Sequence, residues 1–188
     1  MRERARAAAC TAILEAAEEV AAERGVDQTS IAAIAERAGV AVGTLYNYFP
    51  DRESLLASLF RHRREELVPR LDAAAREAAR LPFERRLRAY LAATLGLFEE
   101  HRRFLKVAVA VDENQVKIKD RKPAVIAAIV EAVTAILRPA VGAVLAAEYA
   151  QIVVGAMRGL AHWRVVRGEP LTDDVDLLVD TLLKGIAR

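Results

Sequence analysis

Apolar residues recur along most of this chain at intervals of three and four, the period of an amphipathic helix. Ile13, Ala16, Ala17, Val20 and Ala21 form a first stripe, closed by Gly25 ahead of Val26. Ile31, Ile34, Ala35 and Ala38 form a second, followed at once by Gly39. Val42, Leu45 and Phe49 form a third. Pro50 ends it, because proline disfavours the helical region for the residue before it. Leu55, Leu56, Leu59 and Phe60 open a fourth helix that Asp51 can cap. It extends to about residue 80, and Pro69 is expected to kink or divide it. Past Leu81-Pro82, a helix over about 83–100 turns Leu87, Tyr90, Leu91, Thr94, Leu95 and Phe98 inward, and another over 101–111 carries Phe104, Leu105 and Ala108. Residues 112–122 read mostly as loop. Pro123 suits the first turn of the next helix, which runs to about Leu137 and is broken by Pro139 and Gly142. A long helix over about 144–166 stops at Gly168 and Pro170. Thr172, Asp173 and Asp174 form the start of a last one, a hydroxyl cap followed by acids facing the dipole. No strand pattern and no internal repeat occurs. The fold class is all-α, with about nine helices.

The stretch from Thr29 to Leu55 carries the chemistry. Thr29 and Ser30 precede the second stripe, where hydroxyl oxygens accept hydrogen bonds from first-turn amides. Gly39 supplies the left-handed residue of a tight turn. The next helix is short and presents Thr44, Asn47 and Tyr48 opposite its apolar face, with Gly43 and Tyr46 beside them. Helix, glycine turn and second helix make the layout of a helix-turn-helix, so double-stranded DNA is the candidate partner.

This stretch resembles the DNA-binding domain of the TetR (tetracycline repressor-like) family of bacterial transcription regulators. The matching residues are Ile31-Ala32-Ala33-Ile34-Ala35, Ala38-Gly39-Val40, Gly43-Thr44-Leu45-Tyr46, Tyr48-Phe49-Pro50 and Glu53-Ser54-Leu55. They lie in the first third of the chain; beyond it only length and helical pattern agree. Ala41 and Val42 stand where the family often has serine and lysine, Asn47 where it often has histidine, and Arg52 in place of a lysine. The operator sequence therefore does not carry over from a relative. By position, the second helix lies in the major groove. Gly43 lets backbone approach, Val42 can touch a thymine methyl, and Thr44 and Asn47 read base edges. The resemblance implies phosphate anchoring by Thr29 or Ser30, by Tyr46 or Tyr48, and by Arg52.

The same resemblance implies two domains: a helix-turn-helix domain over 4–63 and a helical ligand-binding and dimerisation domain over 64–188. It implies a pocket for a small, mostly apolar effector among the middle helices. Candidate lining residues are Leu59, Arg63, Tyr90, Thr94, Phe98, His101, Phe104, Asp112, Met157 and Trp163. The helices over 123–137 and 144–166 are apolar over more surface than one chain can cover. Ile129, Val133, Ile152, Val153, Ala156 and Leu160 are the candidate interface of a two-fold homodimer. Two recognition helices about 34–36 Å apart would then address a palindromic operator.

Charge is less basic than DNA binding usually requires. Residues 1–63 hold 8 Arg and no Lys against 9 acidic residues, and the whole chain is only +2. The second helix of the motif has no basic residue. Phosphate contacts must come from hydroxyls, helix N-terminal amides, Arg52 and the arm residues Arg2, Arg4 and Arg6. A modest salt dependence is expected, with a slope of log K against log[salt] no steeper than about −8 for the dimer.

The chain has 188 residues, 54% hydrophobic, enough for a packed core. A single cysteine, Cys10, allows no intramolecular disulfide and reads as a small helix residue. No secretory signal is apparent after Met1-Arg2-Glu3-Arg4. No apolar run is expected to reach the roughly 18–20 residues of a membrane span; the best candidate, Pro123 to Ala147, is interrupted by Glu131 and Arg138. A cytoplasmic protein is expected. Enzyme chemistry lacks a constellation: His62, His101 and His162 lie on separate segments, without metal-site spacing, and Glu99-Glu100-His101 reads as a solvated helix junction. There is no phosphate-binding glycine loop and no nucleophile elbow. Neither a cofactor nor a metal is expected. The reading is a sequence-specific DNA-binding transcriptional regulator, a repressor released by its ligand. The alternative is an all-helical dimeric interaction module without DNA binding.

Overall fold

The computed structural model describes residues 2–113, 124–172 and 175–186. Among them are nine helices and no strand: α1 Arg2–Arg24, α2 Ile31–Ala38, α3 Val42–Tyr48, α4 Arg52–Ala78, α5 Phe83–Glu100, α6 Arg102–Glu113, α7 Ala124–Val141, α8 Ala143–Arg167 and α9 Val175–Ile186.

Helix ends follow local chemistry. Ser30 caps α2, its hydroxyl oxygen accepting from the Ala33 amide at 3.2 Å. Gly39 closes α2 at φ 67°, and the Val40 amide donates back to the Ala35 carbonyl at 3.0 Å. That left-handed turn sets the angle between α2 and α3. Asp51 caps α4 by accepting from the Ser54 amide at 2.6 Å.

Two prolines expected to break helices do not. Pro69 lies inside α4 and Pro139 inside α7, which continues to Val141 before Gly142 breaks it at φ 81°. Pro69 and Glu65, whose carbonyl loses its donor, are both exposed, so water can satisfy the freed group. Asp112 and Glu113, expected in a loop, end α6 as helix. Residues 114–122, Pro123 and the Asp173–Asp174 start of the last helix lie outside the described residues. The expectation about apolar runs also changes. Helices α7 and α8 are each long and apolar enough to cross a membrane by length and composition. Core helices of soluble proteins meet the same criterion. These two pack against each other and bury Ile129, Val133, Ile136 and Leu137 of α7 with Ala146, Ala150, Val153 and Met157 of α8.

The chain forms two compact units, and they are not two continuous stretches. The first comprises residues 1–63 together with α6 from Arg103 onward. Its main core joins Ile13, Ala17 and Val20 of α1 to Ile34 of α2, Leu45 of α3, Phe49, and Leu55 and Leu59 of α4. A second cluster sets Val107 and Val111 of α6 against Ala21, Val26 and Leu56. Phe60 and Phe104 meet edge to face at 5.1 Å between centroids. This apolar grip, which spacing within α6 cannot reveal, explains why α6 belongs with the N-terminal helices.

The second unit holds α4 from Arg64, with α5, α7, α8 and α9. Helix α5 packs on α7 and α9. Arg88 of α5 pairs with Asp176 and, at 2.8 Å, with Asp180 of α9. Glu99 pairs with Arg102 at 2.9 Å and accepts from the Leu171 amide at 2.8 Å.

Candidate nucleic-acid interface

Helix α3 divides cleanly. Leu45 is fully buried and Phe49, just past its end, is buried, both in the α1–α2–α4 core. Val42, Gly43, Thr44, Tyr46 and Asn47 are exposed, with Val42 at 43% and Tyr46 at 51%. A short helix anchored on one side thus presents a methyl pair, a glycine, a hydroxyl, a phenol and a carboxamide on the other. These are groups that read base edges or contact phosphates in a major groove.

The structure separates the two hydroxyls before α2. Ser30 is exposed at the cap. Thr29 is 2% exposed and donates to the Gly25 carbonyl at 2.8 Å, so it closes the turn after α1 instead of facing a phosphate. Arg52 also differs from expectation. It is half-buried, its guanidinium donates to the Val26 carbonyl, and its Nε is buried without a hydrogen-bond partner. It ties the 25–30 turn to the start of α4, and this commits one edge of the guanidinium inside the unit. The two tyrosines part in the same way: Tyr46 is free at the surface, while Tyr48 is half-buried on the core and tilted against Phe49 at 6.4 Å.

Three features were not legible in the pattern. Arg6, on α1 rather than in an unstructured arm, stacks over the Tyr48 ring at 5.8 Å from its centroid, bringing a cation to the C-terminal end of α3. Arg37 of α2 is bound by Glu23 at 2.6 Å and Glu19 at 3.0 Å, and Glu19 also takes Arg103 at 3.1 Å. The Arg37 hydrogen bond holds the Glu23 carboxyl below its ordinary value. Arg37 is thereby committed to acids of its own unit. A third pair, Arg63 with Glu18 at 2.7 Å, is nearly buried. Its only sequence signal is a carboxylate on the Leu14–Ala17–Ala21 face of α1.

The candidate effector residues do not fall in one unit. Leu59, Arg63, Phe104 and Asp112 belong to the first. Leu59 is core beneath α3, Arg63 pairs with Glu18, Phe104 packs on Phe60, and Asp112 is exposed. Tyr90, Thr94, Phe98, His101, Met157 and Trp163 belong to the second. Tyr90, Thr94, Phe98 and Met157 are buried. His101 lies 3.5 Å from Glu66 and 3.4 Å from Arg70, at the end of α5. Trp163 is 57% exposed, with Arg167 stacked on its ring at 5.1 Å, so it lies on the outer face of α8. Among the interface candidates, Ile129, Val133 and Val153 are core of their own unit. Ile152 and Ala156 face outward and Leu160 is half-buried. Ile152 and Val153 are neighbours in sequence but about 100° apart around the helix.

Burial pushes the Tyr90 hydroxyl up from 10.0 to about 12; Thr94 offsets part of the rise and the Asp72 carboxylate adds to it. A value raised on folding means that its contribution is fully present below pH 10 and is lost as pH climbs through 12. Stability is expected to fall over that window, and Tyr90→Phe should flatten the fall. Melting curves in alkaline buffers, with phenolate absorbance followed in parallel, check this; an unchanged alkaline limb in Tyr90→Phe contradicts it.

Residues 13–59 match the family model described as bacterial regulatory proteins, tetR family. The fatty acid metabolism regulator protein of Bacillus subtilis (strain 168) is 42% identical over 67 residues, 36% of this chain and 34% of that protein. The chain thus aligns with only about a third of that curated relative's length. Over nearly the whole fold it is similar to a TetR-like transcriptional regulator from Rhodococcus sp. RHA1, with a TM-score of 0.73, 26% identity and 94% of each chain covered. It is also similar to the transcriptional regulator FadR from Bacillus subtilis in complex with stearoyl-CoA, with a TM-score of 0.79, 21% identity, and 93% and 98% of the two chains covered. The exposed α3 on a three-helix core defines the class, a helix-turn-helix protein. Residues 13–59 thus carry a recognition domain of the tetR type, and the chain's fold is similar to that of TetR-like regulators.

Proposed function

We propose that this chain is a sequence-specific DNA-binding transcriptional repressor, cytoplasmic and homodimeric, released from a palindromic operator by a small, mostly apolar ligand. The observation that carries this reading is the outward face of α3, with Val42, Gly43, Thr44, Tyr46 and Asn47 exposed above a fully buried Leu45. A purely structural helix of seven residues has no need to leave so varied a set in solvent. Thr44 and Asn47 read base edges; Ser30, Tyr46 and the Tyr48–Arg6 stack hold phosphates. In this reading residues 4–63 read DNA, and the helices after residue 64, apart from α6, which packs on the N-terminal helices, supply dimerisation and the ligand site. An electrophoretic shift with DNA from upstream of the protein's own gene tests the reading. No shift at low salt, at any part of that region, favours the interaction module without DNA binding.

Dimerisation is supported by α8. Leu145, Tyr149, Ile152, Ala156, Gly159, Trp163 and Val166 follow a four-three spacing, the repeat that forms a helix–helix seam. All but the half-buried Tyr149 are exposed, while the opposite side of α8 is core. Ala156 and Gly159 at the middle of the seam allow close approach of a second copy. Ile152→Glu, at 58% exposure, should leave the helical content intact, convert dimer to monomer in sedimentation, and abolish tight operator binding. A dimer that survives this change places the seam elsewhere.

The effector is proposed to be acyl-chain-like, since the similar FadR structure holds stearoyl-CoA and the second unit's interior is overwhelmingly apolar.

A further inference from the structure

Helix α3 reads VGTLYNY and carries no charged residue. Residues 38–51 hold no arginine or lysine and one acid, Asp51, which caps α4 through the Ser54 amide. The arginines nearest α3 in sequence are engaged within their own unit. Arg37 is held by Glu23 at 2.6 Å and Glu19 at 3.0 Å. Arg52 donates to the Val26 carbonyl. The groups that α3 turns outward are therefore neutral: the two methyls of Val42, the hydroxyls of Thr44 and Tyr46, and the carboxamide of Asn47. Gly43 supplies a second, independent observation. A Cβ built there meets no atom within 4 Å, so the chain's own packing does not call for glycine. Glycine inside a helix is less stable than alanine. The bare backbone between Val42 and Thr44 is then room for a surface outside the chain.

These groups select among base pairs. In the major groove guanine presents two acceptors, which arginine or lysine reads, and cytosine an amino donor, which a carboxylate reads. Helix α3 supplies neither kind of reader. Adenine presents an acceptor beside a donor, which a carboxamide matches, and thymine a methyl, which apolar side chains match. We propose that α3 selects A·T base pairs by direct contact. The Asn47 carboxamide oxygen accepts from adenine N6–H while its amino group donates to adenine N7. Val42 packs on a thymine methyl, and Gly43 admits the base edges close to the backbone. The hydroxyls of Thr44 and Tyr46 suit any base pair or a phosphate and add no preference. The operator half-site thus has an A·T core beneath α3, and guanines within it are not recognised through N7 and O6. The inference rests on the DNA-reading function proposed above and names what that site selects.

A pool of random duplexes, equilibrated with the full-length protein and sequenced after selection, should yield paired half-sites with A·T at the positions beneath α3. Single replacements in one half-site of a selected duplex then probe the contacts by titration. Uracil in place of the contacted thymine removes only the methyl and should weaken wild-type binding roughly 3- to 5-fold. 7-Deazaadenine in place of the contacted adenine removes only the N7 acceptor and should weaken it roughly 3- to 10-fold. 7-Deazaguanine at any guanine of the half-site should change nothing. Val42→Ser should lose most of the response to uracil, and Asn47→Ala the response to 7-deazaadenine. Gly43→Ala should melt at the same temperature or higher and yet bind the selected duplex more weakly. Half-sites built on guanine, weakened by 7-deazaguanine, overturn the A·T assignment and leave the DNA reader standing. A·T half-sites indifferent to both uracil and 7-deazaadenine are read by duplex shape, which overturns the direct contacts. Responses that persist in Val42→Ser and Asn47→Ala remove those residues from the contacts and overturn the proposal as well. A pool from which no duplex is enriched defeats the DNA-reading function itself.

Discussion

Glu18→Ala is expected to destabilise the N-terminal unit by about 3–5 kcal/mol, the usual cost of removing one partner of a buried ion pair. The Glu18 and Arg63 side chains are 7% and 14% exposed, and the carboxylate accepts from Arg63 Nε at 2.7 Å. Taking away the carboxylate removes the acceptor of a largely desolvated Nε–H of Arg63. The pair is not thereby a large net source of stability. Exchanging both members for apolar residues of similar size, Glu18→Leu with Arg63→Met, should come back to within about 1 kcal/mol of wild type. Urea unfolding followed by circular dichroism measures both. A single variant within 1 kcal/mol of wild type, or a double variant as weak as the single one, would show that the pair is solvated and that α1 and α4 are held by hydrocarbon packing alone.

Asn47→Ala is expected to weaken operator binding by about 2–6 kcal/mol in the dimer. Each protomer loses one bidentate base contact worth about 1–3 kcal/mol. The lower bound is already roughly 30-fold in Kd. Asn47 is exposed, so melting should not change. The salt slope should not change either, because no phosphate contact is lost. Arg6→Ala should do the reverse, lowering affinity across all sequences and making the slope shallower by about one per protomer. Titrations at several salt concentrations, on the operator and on unrelated DNA, separate the two effects. Loss of affinity on both DNAs alike for Asn47→Ala would make that residue a phosphate contact rather than a base reader.

The recognition helices were legible in the sequence because their determinants are local. Ser30, Gly39 and Asp51 act within four residues of themselves, through caps and a left-handed turn, and each does so in the structure. The stripes of α1 to α4 named most of the core for the same reason, a helical period placing residues on one face, but Val42, grouped with Leu45 and Phe49, is 43% exposed. The site was legible only as far as that logic reaches. It put Thr44, Asn47 and Tyr48 on the free side of α3 with Tyr46 beside them, whereas the fold half-buries Tyr48 on the core, and it could not tell Thr29 from Ser30. Two adjacent hydroxyls look alike until one finds the Gly25 carbonyl. Arg52 looked like a surface cation until the fold brought it to the Val26 carbonyl, 26 positions away.

The prolines teach the same lesson in reverse. Pro69 and Pro139 carry a local rule for breaking a helix, and packing on the rest of α4 and α7 overrode it at the cost of one backbone hydrogen bond each. In α8 composition showed too much apolar surface for one chain, yet not which residues make the surplus. Burial assigned Val153 and Met157 to the core and Ile152 and Trp163 to solvent.

What the sequence determined by itself is therefore the set of helices, the glycine turn that angles α2 against α3, and the short polar and aromatic face that marks a DNA reader. These follow from hydrogen bonds and side-chain periods spanning a few residues. What only the tertiary structure decided is the inclusion of α6 in the N-terminal unit, the Glu18–Arg63 and Arg6–Tyr48 pairings, the outer seam of α8 and the burial of the Tyr90 phenol. Each depends on which groups meet across tens of residues, where desolvation and charge pairing are set by the assembled core and not by neighbours in the chain.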